Sequence, residues 1–304
     1  MDISVVSPVL NERGHIEQFV AALLSQSVLP TEIVIADGGS TDGCREILDQ
    51  LAATHPRLRV IDGPGGISEN RNAAIAASGH EIVACVDAGC IPERDWLEKI
   101  TAPFAAGEDW VSGFYLPRGE SLRSTCAGLV LMSVLEEVNP DHIIPPGASQ
   151  AFRKKVWLRV GGFPEGMAAA EDTLFGEQAR AAGFRPYFEG EAIVQWRPPA
   201  GLWEMAQKAF NWGRADGSAG LRGTAYTRLF LVSWGSVAAV VALTVFDLRL
   251  GLLALVPIAG LAAYRTRFKF RWARGVGKYL LIPFADVIQR LAQSLGWIVG
   301  ARRS

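Results

Sequence analysis

Cysteine is scarce and badly spaced for chemistry: Cys44, Cys85, Cys90 and Cys126 are the only four in 304 residues, and no two form a CxxC pair. A disulfide framework and a zinc motif are excluded, and the thiols read as reduced, structural groups in a cytosolic domain. No GxGxxG follows the first predicted strand, and GlyProGlyGly at 63–66 does not substitute for it, which disfavours NAD binding. A Walker sequence and a nucleophile elbow are missing too. Met1 leads straight into IleSerValValSer after one Asp, with neither a basic n-region nor a long apolar h-region, so residues 1–200 are expected in the cytoplasm. Low-complexity tracts are absent, and 49% hydrophobic against 20% charged residues excludes a disordered scaffold. Acidic residues nearly vanish from the last third. Residues 201–304 hold 14 Lys+Arg and 4 Asp+Glu, a net of +10, while residues 1–200 hold 16 and 27, a net of −11. The total of −1 hides that asymmetry. A basic, apolar C-terminal third predicts an anionic membrane surface rather than nucleic acid.

What is present begins with alternation. Residues 2–7 read as a buried strand ended by Pro8, and Ile16, Phe19, Val20, Leu23 and Leu24 form one apolar helical stripe. Glu32–Ala36 is a second strand, 44–53 a helix, 58–61 a third strand, 68–77 a helix, and 81–86 a fourth strand ending at Asp87. Four strand–helix repeats with short connections predict an α/β domain with a mainly parallel sheet covered on both faces. Ligands of such sheets sit outside the carboxyl ends of the strands, where Ser7–Pro8, Asp37 and Asp87 fall. Further on, 111–116 reads as a strand, 126–138 as a helix, 143–151 as a loop, 171–182 as a helix with two acids in its first turn, and 193–196 as a last strand.

The C-terminal third is organised differently. After a linker helix at 201–228, Leu229–Phe246 and Leu250–Tyr264 are uncharged apolar runs of 18 and 15 residues, separated by Asp247-Leu248-Arg249. They predict a hairpin over 229–264 that either crosses the bilayer or re-enters it. Six cations and no acid follow between Arg265 and Lys278, which places that segment on the cytoplasmic side. From 280 to 299 the apolar positions keep a helical period opposite Asp286, Gln289, Arg290 and Gln293, a pattern suited to a helix lying in the interface. The expected layout is therefore a 1–200 domain, the 201–228 linker, the 229–264 hairpin and a basic, amphipathic 265–304 segment.

Two strand ends carry the chemistry. Asp37 to Asp42, DGGSTD, puts two carboxylates on a glycine-loosened loop, and SPVLNE at 7–12 brings Pro8, Asn11 and Glu12 to the neighbouring strand end. Carboxylates there accept hydrogen bonds from a ribose diol and from the imide N–H of a pyrimidine, which suits a nucleoside. Taken with GISENRNAAI at 66–75 and GGFPEGMAAAED at 161–172, in this order, the chain resembles a family 2 glycosyltransferase of the GT-A nucleotide-diphosphosugar fold. The resemblance implies that Pro8, Glu12, Asp37 and Asp42 surround the nucleoside, that Arg71 approaches the nucleotide-sugar, and that Asp172 is the catalytic base; its neighbour Glu171 reads as orienting rather than abstracting. It also implies an Asp-x-Asp signature after the fourth strand that holds Mg²⁺ or Mn²⁺ on the diphosphate; this chain reads Asp87-Ala88-Gly89, with Asp141 or His142 as other sources of a second ligand. Related membrane-bound enzymes stabilise the leaving group from an Arg/Trp motif, in whose place stand Lys208 and Arg214.

The expectation is an inverting enzyme at the cytoplasmic face of a bacterial inner membrane. Its donor would be a nucleoside-diphosphate-sugar, its acceptor lipid-linked or presented by the membrane, and its surroundings membrane lipids. The reading from another class is a catalytically silent nucleotide-sugar-binding or scaffold subunit, motivated by the truncated DAG motif.

Overall fold

The computed structural model describes residues 1–302 except Ala168; that residue of the 161–172 segment, and Arg303 and Ser304 of the C-terminal one, lie outside the described residues. Two compact units emerge, one from Met1–Leu116 with Asn139–Trp196, the other from Pro117–Val138 with Arg197–Ser304.

The first unit follows the alternation: β1 (Ile3–Val9), α1 (Ile16–Leu24), β2 (Glu32–Asp37), α2 (Cys44–Thr54), β3 (Leu58–Asp62), α3 (Ile67–Ala77) and β4 (Ile82–Cys85). Then come β5 (Cys90–Pro92), α4 (Trp96–Thr101) and β6 (Trp110–Pro117). After α5 (Leu122–Leu131), which is part of the second unit, the first resumes with β7 (Gln150–Arg153), α6 (Lys154–Val160), α7 (Glu171–Ala181) and β8 (Tyr187–Trp196). One sheet runs in the order β3-β2-β1-β4-β7-β6-β8-β5. β1 pairs in parallel with β2 and β4, and β2 with β3; the sheet is then extended by antiparallel pairing of β4 with β7 and of β7 with β6. The result is a mixed α/β sheet.

Period two along the strands explains why both faces are covered. Val5, Val9, Ile33, Ile35, Ala84 and Val86 bury against Ile16, Phe19 and Leu23 of α1, Leu48 of α2, and Trp96 and Ile100 of α4. Val6, Val34, Ala36, Val83 and Cys85 bury on the opposite side against Ala74 and Ile75 of α3, Val156 of α6, and Phe175 and Ala179 of α7. β1 does not stop at Pro8: its pairing with β4 ends at Val6, so Pro8 and Val9 continue beside β2 alone, against Ala36 and Asp37. The helix expected at 126–138 is instead α5, and it ends at Leu131, followed by a 3₁₀ turn at Leu135–Glu137.

The second unit adds α8 (Leu202–Ser218), α9 (Gly223–Phe246), α10 (Leu248–Arg265) and α11 (Lys278–Ala301). Its core joins Cys126, Ala127, Leu129 and Val130 of α5 to Met205, Ala273, Ile282 and Ala285. α8 and α11 approach backbone to backbone: a Cβ on Gly213 would strike the Gln293 carbonyl, and one on Gly300 the Arg214 carbonyl. Both helices place these glycines in a GxxxG spacing, Gly213/Gly217 and Gly296/Gly300. The polar side of α11 is only partly exposed. Asp286 is buried and ion-paired with Arg265 and Arg290, and Gln293 donates to the Tyr226 hydroxyl. Leu280 and Phe284 are instead 79% and 58% exposed. α9 and α10 are each long and apolar enough to cross a bilayer, with most of their large side chains exposed.

Candidate active site

The carboxyl ends of the parallel strands build one edge of the site. Register places Val9 against Asp37 and Asp37 against Asp62, while Val6 pairs with Cys85, two residues before Asp87. With one strand between them, the positions of Asp37 and Asp87 lie about 10 Å apart. The loops after β1 and β2 interlock. Ser40 donates its hydroxyl to Asp37 Oδ1 (2.5 Å) and its N–H to Oδ2, while Asn11, in the left-handed region at φ 56°, donates its N–H to Ser40 Oγ and accepts from the Thr41 N–H. Asp42 accepts from the Arg13 N–H through Oδ2 and from the Cys44 N–H through Oδ1, and these bonds, the Arg13 one foremost, hold its pKa below the ordinary value. Both oxygens thus accept from the chain, and Asp42 fixes the loop that presents Asp37.

A second group centres on Arg71 of α3. Its guanidinium is 0% exposed and forks between two carboxylates, Nη2 donating to Asp87 Oδ1 and Nη1 to Glu171 Oε1, each at 2.9 Å. Phe163 covers one face, its ring centroid 4.9 Å from the guanidinium carbon. Burial opposes the charge, but Asp87 and Glu171 more than restore it, so Arg71 stays a cation above its usual range. Arg71 is thus enclosed, and what it presents toward solvent is the Asp87 carboxylate it holds.

Glu171 and Asp172 open α7 behind Ala170, which adopts φ 69°. Asp172 Oδ1 accepts from the Thr173 N–H (2.7 Å) and Oδ2 from the Gly147 N–H (3.1 Å). Burial, then the charge of Glu171, pushes the Asp172 carboxyl up to about 6, against the two N–H bonds and Arg71, which pull it down. The shift suits a general base working near neutral pH. Beneath the pair, burial pushes the Cys85 thiol up to about 12, which makes it an inert packing group.

Sequence reasoning missed three residues here. Gly147 donates to Asp172, and a Cβ on it would sit 2.7 Å from Arg71 Nη2, so only glycine admits the guanidinium. Asn70 accepts from the Gly65 N–H and lies against Gly38 and Gly63, tying the loops after β2 and β3. Asn72 accepts from the Phe163 N–H and from Trp157 Nε1, which anchors the 161–164 turn. The NRNAA run at 70–74 was the available signal for the two asparagines; Gly147 had none.

Asp87, Arg71, Glu171 and Asp172 form one cluster, and Pro8, Asp37 and Asp42 share the strand-end edge with Glu12, whose Oε1 lies 3.6 Å from where a Cβ on Gly89 would stand. Lys208 and Arg214 belong to α8 of the second unit, where the Lys208 ammonium sits over the Trp212 ring, 5.4 Å from its centroid. Asp141 and His142 are exposed on a 3₁₀ turn. A resident divalent cation does not fit these residues. Among the described residues no three His, Cys, Asp or Glu form a ligand group, and the one motif carboxylate, Asp87, already gives an oxygen to Arg71.

A mixed sheet whose parallel half ends in an acidic edge, with a raised-pKa aspartate on a helix start beside it, is the architecture of a GT-A sugar-transferring fold. The comparisons with known proteins agree. The sequence model described as "Glycosyl transferase family 2" matches residues 4–125. The chain is 30% identical over 223 residues to the succinoglycan biosynthesis protein ExoA of Rhizobium meliloti, covering 69% of this chain and 67% of that one. It is 27% identical over 222 residues to glycosyltransferase AglE of Haloferax volcanii, covering 70% and 72%. Its fold is similar to that of the mannosyltransferase PcManGT from Pyrobaculum calidifontis, solved with GDP-Man and Mn²⁺: TM-score 0.63 at 20% identity, over 97% of this chain and 86% of that one. The chain belongs to glycosyl transferase family 2 and is a glycosyltransferase.

Proposed function

We propose that this glycosyltransferase works with inversion, moving a sugar from a nucleoside-diphosphate donor to a lipid-linked or membrane-presented acceptor, with Asp172 as general base. The observation that carries the reading is the carboxyl of Asp172, held in place by two backbone N–H groups and raised to about 6, one residue from the Arg71-bound Glu171. In a single displacement the acceptor oxygen bonds to the anomeric carbon as the bond to the diphosphate oxygen breaks on the opposite face. The acceptor proton passes to Asp172, which needs that hydroxyl within ~3 Å. Asp37 and Glu12 receive the nucleoside, and Arg71 is a positioning residue that fixes Asp87 and Glu171.

The acceptor class rests on the second unit. At 1.5 Å per residue, the 24 residues of α9 reach about 36 Å and the 18 of α10 about 27 Å, against a hydrocarbon core of ~30 Å. Both helices expose their large apolar side chains, and α11 adds Leu280 and Phe284. Arg267 and Arg274 are exposed in the basic segment that follows α10, consistent with a hairpin returning to the cytoplasmic leaflet. The leaving diphosphate is assigned to Lys208 and Arg214.

The deciding experiment is transfer by Asp172→Asn in native membranes, with mass spectrometry of the lipid products across a donor panel. Loss of roughly 10²–10⁴-fold in turnover with nucleotide affinity unchanged is expected. Turnover within a few-fold of the parent chain removes Asp172 from the base role.

A further inference from the structure

The cluster around Arg71 has a gap in it at position 89. In Asp87-Ala88-Gly89 the second carboxylate of the Asp-x-Asp signature is a hydrogen atom. The neighbouring acids do not make up the loss. Asp87 Oδ1 and Glu171 Oε1 each accept from Arg71 at 2.9 Å, and both oxygens of Asp172 accept backbone N–H groups. Glu171 is buried, and Asp87, its side chain 29% exposed, is the carboxylate with an oxygen, Oδ2, left over for solvent. A divalent ion held by one carboxylate oxygen must take every other ligand from water or from a bound phosphate, and cation affinity falls as charged ligands are lost. Position 89 itself is open. Its φ lies outside the left-handed range, and among the described residues, its two chain neighbours apart, the one heavy atom within 4 Å of its ideal Cβ is Glu12 Oε1, at an ordinary 3.6 Å.

We infer that the nucleotide-free cleft of this chain carries no resident divalent cation, Arg71 providing the positive charge that Asp87 requires, and that one carboxylate restored at position 89 beside Glu12 converts it into a cation site. This rests on the reading of the cleft as a nucleotide-sugar site. The positive half of the inference is specific. An aspartate there would stand beside Glu12 Oε1, which lies 3.6 Å from the ideal Cβ, and two residues after Asp87, adding an anionic oxygen ligand for Mg²⁺ or Mn²⁺.

The test is Mn²⁺ titration of the nucleotide-free, detergent-solubilised full chain, followed by electron paramagnetic resonance, for the parent protein, Gly89→Asp and Asp87→Asn. Weak binding that Asp87→Asn leaves unchanged is expected for the parent, with Gly89→Asp binding about tenfold or more tightly. Tight, saturable binding by the parent that Asp87→Asn abolishes overturns the inference, as does a folded Gly89→Asp with no gain. Should Gly89→Asp show no cooperative melt, the parent and Asp87→Asn titrations still decide. Calorimetry with UDP, GDP and TDP, in EDTA and in Mn²⁺, runs alongside. Failure of all three nucleotides in both buffers brings down the donor-site reading while leaving the Mn²⁺ comparison intact. A nucleotide that binds in EDTA supports both.

Discussion

At the scale of single residues, charge placement governs what the cluster can do. Asp172 with its carboxyl near 6 is deprotonated at neutral pH, so turnover should fall as pH drops through about 6, a profile checked by initial rates from pH 5 to 8. The same upward shift carries a stability cost. Between the ordinary aspartate value and about 6 the native state binds more protons than the unfolded one, so this group's contribution to stability decreases as pH rises through that window. Arg71 matters more to stability than Asp172 does. Replacing it with Met leaves Glu171, 8% exposed, as an unpaired buried charge, and a loss of about 3–5 kcal/mol in denaturant melts is expected. Arg71→Lys should lose less stability than the Met variant yet still lose turnover, because one ammonium cannot fork between Asp87 and Glu171. These roles were only half visible in the sequence. Glu171 and Asp172 stand out as an acid pair after a glycine turn, but their link to Arg71 spans 100 residues and depends on Gly147 having no side chain.

At the scale of elements, legibility follows burial. β1, β2 and β4 are apolar on both faces, so their runs announce themselves within a residue or two of the observed limits. β7 is four residues, QAFR, bounded by polar side chains and preceded by prolines, and β5 is three residues; neither has a pattern long enough to read. In α11 the period is legible but not which face turns inward. Asp286 belongs to the interior because Arg265 and Arg290 neutralise it, and no periodicity encodes a partner on another helix. The α8–α11 contact is the element most sensitive to volume. Gly213→Ala and Gly300→Ala each push a methyl into a carbonyl of the facing helix, and a cost of about 1–3 kcal/mol per substitution is expected in thermal or denaturant unfolding.

For the whole molecule, the division of the chain departs furthest from what composition suggests. The break in composition near residue 200 reads as the end of one body and the start of another, yet the helical unit also claims Pro117–Val138 from inside the sheet unit's span. Composition could not show this, since α5 is an ordinary mixed helix whose buried side, Cys126, Leu129 and Val130, meets Met205, Ala273 and Ile282 only after folding. A chain ended after residue 200 should therefore expose that side and aggregate. Size-exclusion chromatography and a thermal melt check it, and a monodisperse, cooperatively melting fragment would show that α5 needs no partner.

Because each unit is stitched from two separate stretches, the sugar-transferring half and its helical companion cannot be exchanged between relatives as cassettes. Any recombination that swaps the tail alone inherits a foreign insert at 117–138, so a graft of the helical unit has to carry both pieces together.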